Sequence, residues 1–157
     1  MSSLVARHAN ALARFASTLG ERDDIEELVQ DTFVRAFGSI DGFRGDSSLR
    51  TWLFTIERRL VVDRRRAARR RRGDVQVQED DLATEFTALD GVVADETEQR
   101  LVRAMSRLSP MQREVFTLRV SEGMSYRDIA ALVGSTEGAA RVHYHNALRA
   151  VKELLDE

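Results

Sequence analysis

The sequence predicts an all-α protein, and three observations carry that prediction. Apolar residues recur at three- and four-residue spacing along most of the chain, no run alternates β-branched and polar residues, and the composition is rich in Ala, Leu, Arg and Glu with a single proline. With 157 residues, 43 % of them apolar, the chain can build one ordinary domain or two small ones.

The first helix is predicted over Met1 to Leu19, with Leu4, Val5, His8, Leu12, Phe15, Ala16 and Leu19 on one face and Gly20 as its C-terminal stop. A second follows from Asp23 to Phe37. Asp23 and Glu26 have capping-box spacing, and Ile25, Leu28, Val29, Thr32, Phe33, Ala36 and Phe37 form a continuous stripe. Its other face carries Glu26, Glu27, Gln30, Asp31, Val34 and Arg35. Acids on such a face fit a solvated surface, but Val34 among charges points to a contact.

Gly38 to Ser48 reads as a polar loop, with Gly38, Gly42 and Gly45 as breakers and Asp46 or Ser47 able to cap the next helix. Phe43 interrupts that polarity; it either plugs the core or lines a site for an unstacked base. The helix that follows is the centre of the chain. Leu49, Trp52, Leu53, Ile56 and Leu60 supply a face to bury, while Arg50, Arg58, Arg64 and Arg65 project elsewhere. Arginines at 58, 59, 64, 65, 66, 69, 70, 71 and 72 fall within about 20 Å of one another at ~1.5 Å rise per residue. That density suits a line of phosphates, although basic runs also occur as plain solvated helix ends.

From Gly73 to about Glu96 the chain turns acidic, with Asp74, Glu79, Asp80, Asp81, Glu85, Asp90 and Asp95 and no Lys or Arg, and only Leu82, Phe86 and Leu89 hold helical spacing. We read it as a mobile linker. The net charge of −2 therefore hides a strong local separation of charge, and a polyanion senses the local field within a Debye length of about 10 Å.

Helical order resumes over Thr97 to Leu108 through Leu101, Ala104, Met105 and Leu108. Ser109-Pro110-Met111-Gln112 is a start signal with cap, first-position proline and capping-box glutamine, opening a helix through Val115, Phe116, Leu118 and Arg119 that ends near Gly123. Ser125 starts the next, with Tyr126, Ile129, Ala130 and Val133 as its apolar positions and Gly134 as its close; Ser135-Thr136 opens the last, through Ala140, Tyr144, Ala147, Leu148, Val151 and Leu155. Two helices joined by so short a turn match a helix-turn-helix, a pattern that an α-hairpin in any bundle also gives. On the last helix Thr136, Glu137, Ala139, Arg141, Val142 and His145 lie away from the apolar face, near the end where base edges are usually met.

Composition narrows the chemistry. There is no cysteine, so disulfides and thiolate metal sites are excluded, and His8, His143 and His145 make a poor metal set. No apolar stretch approaches the ~18 to 20 residues of a membrane span and the N-terminus lacks the apolar core of a signal peptide, so a cytoplasmic protein without membrane insertion is expected. No nucleophile, carboxylate pair or metal set suggests an enzyme or a cofactor.

Three blocks, DDIEELVQDTFVRAF at 23–37, FRGDSSLRTWLFTI at 43–56 and LSPMQREVFTLRVSEGMSYRDIAALVGSTEGAARVHYHNALRAVKELL at 108–155, together resemble the extracytoplasmic-function sigma factors of bacterial RNA polymerase in order and spacing. The resemblance implies two small helical domains, region 2 over 1–73 and region 4 over 97–157, joined by the acidic linker at 74–96. It implies that Glu27, Gln30, Asp31 and Arg35 meet the polymerase β′ clamp. Phe43, Arg44, Gly45, Asp46, Ser47, Ser48 and Trp52 would capture a base flipped from the non-template minus-10 strand, while Arg58, Arg59, Arg64 and Arg65 hold its phosphates. Thr136, Glu137, Gly138, Ala139, Arg141, Val142 and His145 would read the minus-35 duplex, with region 4 also abutting the β flap. Core RNA polymerase, promoter DNA and an anti-sigma factor are the implied partners. Two features depart from the family pattern: Glu57-Arg58-Arg59 stands where asparagine is common after the TWLxxIA motif, and Ala140, His143, Tyr144 and Asn146 stand where basic residues are usual. Relatives also generally carry a further helix before the segment matching Leu4, so a trimmed domain or a late annotated start is expected.

Overall fold

A computed structural model of the chain describes residues 2–73 and 95–156. It divides into two compact units, Met1–Thr84 and Glu85–Glu157. Among the described residues the regular structure is helical throughout. The expected acidic linker, with Leu82, Phe86 and Leu89, lies outside the described residues except at its end, where Asp95 caps the next helix by accepting a hydrogen bond from the Glu98 amide.

The first unit consists of α1 (Ser2–Thr18), α2 (Ile25–Gly38), a short 3-10 turn (Ile40–Gly42) and α3 (Leu49–Arg71). α1 ends as its glycine predicts. Gly20 takes φ 96, the Glu21 amide donates to the Ala16 carbonyl and the Gly20 amide to Ser17, the paired bonds of a Schellman stop. The start of α2 differs from expectation: Asp24, not Asp23, is the N-cap, in left-handed conformation (φ 60) and with no side-chain cap bond, so the capping box with Glu26 does not form. Neither Asp46 nor Ser47 caps α3. Gly45 takes φ 76, and Ser48 is the residue whose hydroxyl accepts from the Thr51 amide.

Leu12, Phe15 and Ala16 of α1 with Leu19 just after it, Leu28, Val29, Phe33 and Ala36 of α2, and Leu53, Phe54, Leu60 and Val61 of α3 form the core of this unit. Phe15 and Phe54 stack at 4.7 Å. The buried face of α3 is thus rotated from the predicted stripe. Leu53 and Leu60 are buried, but Leu49, Trp52 and Ile56 are only partly so, while Phe54, Glu57 and Val61 are enclosed. The reason is that α3 packs against both α1 and α2, and two neighbours cover a wider arc than a single stripe.

The second unit comprises α4 (Glu96–Ser106), α5 (Pro110–Val120), α6 (Tyr126–Val133) and α7 (Glu137–Leu155). Ala104, Leu108, Phe116, Ala147 and Val151 pack together, with Met105, Tyr144 and Leu148 against them. Leu101, expected in the apolar stripe of α4, is exposed instead. The capping box forms as the sequence predicts: the Ser109 hydroxyl accepts from the Gln112 amide (3.2 Å) and the Gln112 side chain accepts from the Ser109 amide (3.1 Å). Arg113 is buried but satisfied, donating to the Met105 and Leu108 carbonyls (both 3.1 Å) and so closing the open end of α4. Gly134 (φ 73) ends α6, and Thr136 caps α7 two residues later, which sets the short turn of a helix-turn-helix.

Candidate nucleic-acid and polymerase interfaces

In the first unit the buried stripe of α2 leaves Glu27, Gln30 and Arg35 exposed and Asp31 partly so. Val34 sits among them with 70 % of its surface open, the most exposed of the large apolar side chains among the described residues. Asp31 is ion-paired with Arg64 of α3, and both side chains stay close to half exposed. Two residues given separate roles by the sequence therefore meet.

The loop before α3 brings Phe43 against Trp52, ring centroids 5.0 Å apart and tilted by 41°. Both rings are partly buried, so Phe43 neither plugs the core nor stands free. Arg44, Gly45, Asp46 and Ser48 are exposed and Ser47 partly so. The first turn of α3 is pinned to α1 by Arg50, which donates from Nε to His8 Nδ1 and from Nη2 to the Arg7 carbonyl (both 3.2 Å). His8 is buried, and that burial, then the charges of Arg50 and Arg7, holds its pKa below the ordinary value. It accepts the bond as a neutral imidazole.

Farther along α3, Arg59 is exposed and Arg58 partly so. Arg65 is engaged within the unit: it donates to the Leu19 carbonyl (2.7 Å) and pairs with Glu21 (3.0 Å), its side chain only 14 % exposed. It ties α3 to the end of α1. Just before Arg58 on the same helix lies a residue that the sequence marks only as a departure from the family pattern and not as a core position. Glu57 is fully buried, neither carboxylate oxygen has a hydrogen-bond partner among the described residues, and burial pushes its pKa up to about 9. It is a neutral carboxylic acid at pH 7. Its spacing of four from Leu53 and Val61 could have placed it on the apolar face.

In the second unit Thr136 caps α7 by accepting from the Ala139 amide (3.1 Å). Thr136, Glu137, Gly138, Arg141, Val142 and His145 are exposed and Ala139 is partly buried, whereas Ala140, Ala147 and Val151 face inward. The candidate reading face is thus continuous over the first turns of α7. Arg141 does not simply project into solvent: its guanidinium lies over the Tyr126 ring, as does that of Arg119. The sequence placed Tyr126 among the apolar positions of its helix and named Arg119 only as part of the preceding helix, with no role for it.

The two units correspond in order to two family models, Sigma-70 region 2 over residues 4–71 and Sigma-70, region 4 over residues 98–151. An ECF RNA polymerase sigma factor, EcfG of Rhodopseudomonas palustris (strain TIE-1), is 34 % identical over 146 residues, spanning 92 % of this chain and 79 % of its own. The chain belongs to the extracytoplasmic-function RNA polymerase sigma factors. The ECF RNA polymerase sigma-E factor of Escherichia coli (strain K12) is 29 % identical to this sigma factor over 160 residues, covering 94 % of the chain and 82 % of the relative. Among solved structures, the sigma factor RpoE in complex with the anti-sigma factor NepR from Bartonella quintana has a TM-score of 0.77 at 30 % identity, with 99 % of this chain and 96 % of that chain covered. CnrH in complex with the cytosolic domain of CnrY has a TM-score of 0.65 at 33 % identity, covering 99 % and 86 %. The sigma factor is thus a DNA-binding transcription initiation factor that acts in promoter recognition. Among the described residues no helix is long and apolar enough to cross a membrane.

Proposed function

We propose that this sigma factor is a noncatalytic, dissociable subunit that docks on core RNA polymerase through α2, holds non-template minus-10 DNA on the 43–48 loop and α3, and reads the minus-35 duplex with α7. The observation that carries the reading is the arrangement on α3: an aromatic pair, Phe43 and Trp52, at its start and arginines along the same helix. Opening a promoter costs a few kcal/mol for each unstacked base, and a protein offsets that cost only by holding the separated strand better than the duplex. An aromatic pair offers a surface for an unstacked base, and Arg58, Arg59 and Arg64 offer charge to its phosphates.

The polar face of α2, with exposed Val34 at its middle, has the makeup of a docking surface for the β′ clamp. The exposed first turns of α7 suit the major groove. Thr136 is committed to capping α7, and the exposed Glu137 and His145 side chains are poor phosphate ligands beside Arg141, so contacts at minus-35 would be few and partly water-mediated, with the β flap holding the unit in place. The relative solved with the anti-sigma factor NepR supports a masking partner for this chain as well.

Run-off transcription with bacterial core polymerase on fragments of the source genome tests the whole reading. Start sites that appear only when the protein is added are the expected result. Failure of the purified chain to associate with core enzyme would reduce it to a duplex-binding helix-turn-helix protein.

A further inference from the structure

Tyr126, the first residue of α6, receives guanidinium groups from two other helices. The Cζ atom of Arg119, near the end of α5, lies 4.4 Å from its ring centroid, and that of Arg141, on α7, lies 4.8 Å away. The ring itself is held by packing. Tyr144 meets it edge-on at 6.1 Å, and Tyr144 in turn stacks on Phe116 of the core. Arg119 is further fixed by donating from Nη1 to the Met124 carbonyl (2.7 Å), so the position of one charge is set by the backbone.

Two like charges brought to one place repel, and the negative face of an aromatic ring compensates them. A guanidinium resting on a ring uses its flat face. Its N–H groups lie in its own plane and stay available for hydrogen bonds to a base edge. An arginine so held can be oriented before DNA arrives and lose less side-chain freedom on binding, which raises affinity without any added contact.

We propose that Tyr126 is a positioning residue for Arg141 in duplex recognition: its ring fixes the guanidinium so that the N–H edge is presented from the N-terminal half of α7. This rests on the reading of α7 as the helix that enters the major groove. Tyr126 need not touch the DNA to do this, and its contribution runs through Arg141.

The test is a double-substitution cycle in holoenzyme, assembled from core polymerase and the full chain. Binding is measured in the cold, where DNA stays double-stranded, on a promoter fragment recovered by the run-off mapping. Tyr126→Leu is expected to weaken binding about 3- to 10-fold, and Tyr126→Phe, which keeps the ring, less than about 2-fold. In an Arg141→Ala background Tyr126→Leu should cost less than about 2-fold, because the two side chains act as one unit. An equal loss in both backgrounds overturns the proposal, since it means that the ring serves packing or folding alone. A Phe variant as weak as the Leu variant overturns it too, by assigning the effect to the hydroxyl. If Arg141→Ala leaves binding unchanged, the assignment of α7 as the reading helix fails and takes the proposal with it.

Discussion

Asp31 of α2 forms an ion pair with Arg64 of α3, so a side chain on the candidate polymerase-docking face neutralises one on the candidate phosphate-holding helix. In the free protein Arg64 already has a carboxylate. Any phosphate must compete with Asp31 for it, and a polymerase group that engages Asp31 would release Arg64. Because both side chains are close to half exposed, water and salt screen the pair, and its contribution to stability is at most about 1 kcal/mol.

Asp31→Asn should therefore raise the affinity of the free protein for a single-stranded oligodeoxynucleotide about 2- to 5-fold at low salt, with little change in melting temperature. Fluorescence anisotropy across a salt series measures this. No rise at low salt would show that the pair does not restrain Arg64.

Arg64 and Arg65 are neighbours in sequence, yet their substitutions should differ in kind. Arg65 is bonded to the Leu19 carbonyl and Glu21 with little exposure, so Arg65→Ala should cost about 1 to 3 kcal/mol of stability in the first unit by removing charge-assisted bonds. Arg64→Ala should leave stability nearly unchanged and weaken open-complex formation across promoters. Thermal melts beside permanganate footprinting of the open complex separate the two.

Glu57 makes the first unit sensitive to pH in a definite direction. Its folded pKa of about 9 lies above the ordinary carboxylate value, so the fold favours the protonated form. The contribution is complete below the unfolded pKa near 4.3 and is lost as pH rises toward 9, with a slope of at most ~1.4 kcal/mol per pH unit. His8 acts oppositely. Its folded pKa is lowered, so its contribution is present above about 6.5 and is lost as pH falls. Between about pH 7 and 9 only the glutamate effect should operate. Trp52, the single tryptophan, reports on this unit, and its fluorescence should show melting temperature falling over that window. Glu57→Leu should remove the fall and stabilise the unit at pH 8; a wild-type midpoint independent of pH there would contradict a buried acid with no hydrogen-bond partner among the described residues.

Ser109 opens α5 with a reciprocal pair of bonds to Gln112. Ser109→Ala should destabilise the second unit by about 1 kcal/mol, and adding Gln112→Ala should cost less than the sum, since either change alone breaks the box. Circular dichroism on urea titration reads both.

The contact of Phe43 with Trp52 predicts a further contrast. Phe43→Ala should reduce open-complex formation by a factor that varies with the minus-10 sequence, whereas Arg58→Ala should reduce it evenly, because rings meet bases and arginines meet phosphates. Start-site mapping on a set of minus-10 variants distinguishes them.

Local sequence determined the helices and most of their ends. Periodic apolar residues, Gly20 and Gly134 as stops, and the Ser109 capping box depend on neighbours within one or two turns, and such signals are readable along the chain. Block order likewise pointed to the two sigma regions. Tertiary structure alone decided how charged and polar side chains are used. Which of the α3 arginines is committed to Asp31, to Glu21 or to neither depends on where α1 and α2 lie against that helix. The burial of Glu57 depends on two helices covering α3 at once, and the meeting of Arg119 and Arg141 over Tyr126 depends on three helices converging. Periodicity specifies the face a residue occupies on its own helix, and the charge or ring opposite that face comes from a distant part of the chain.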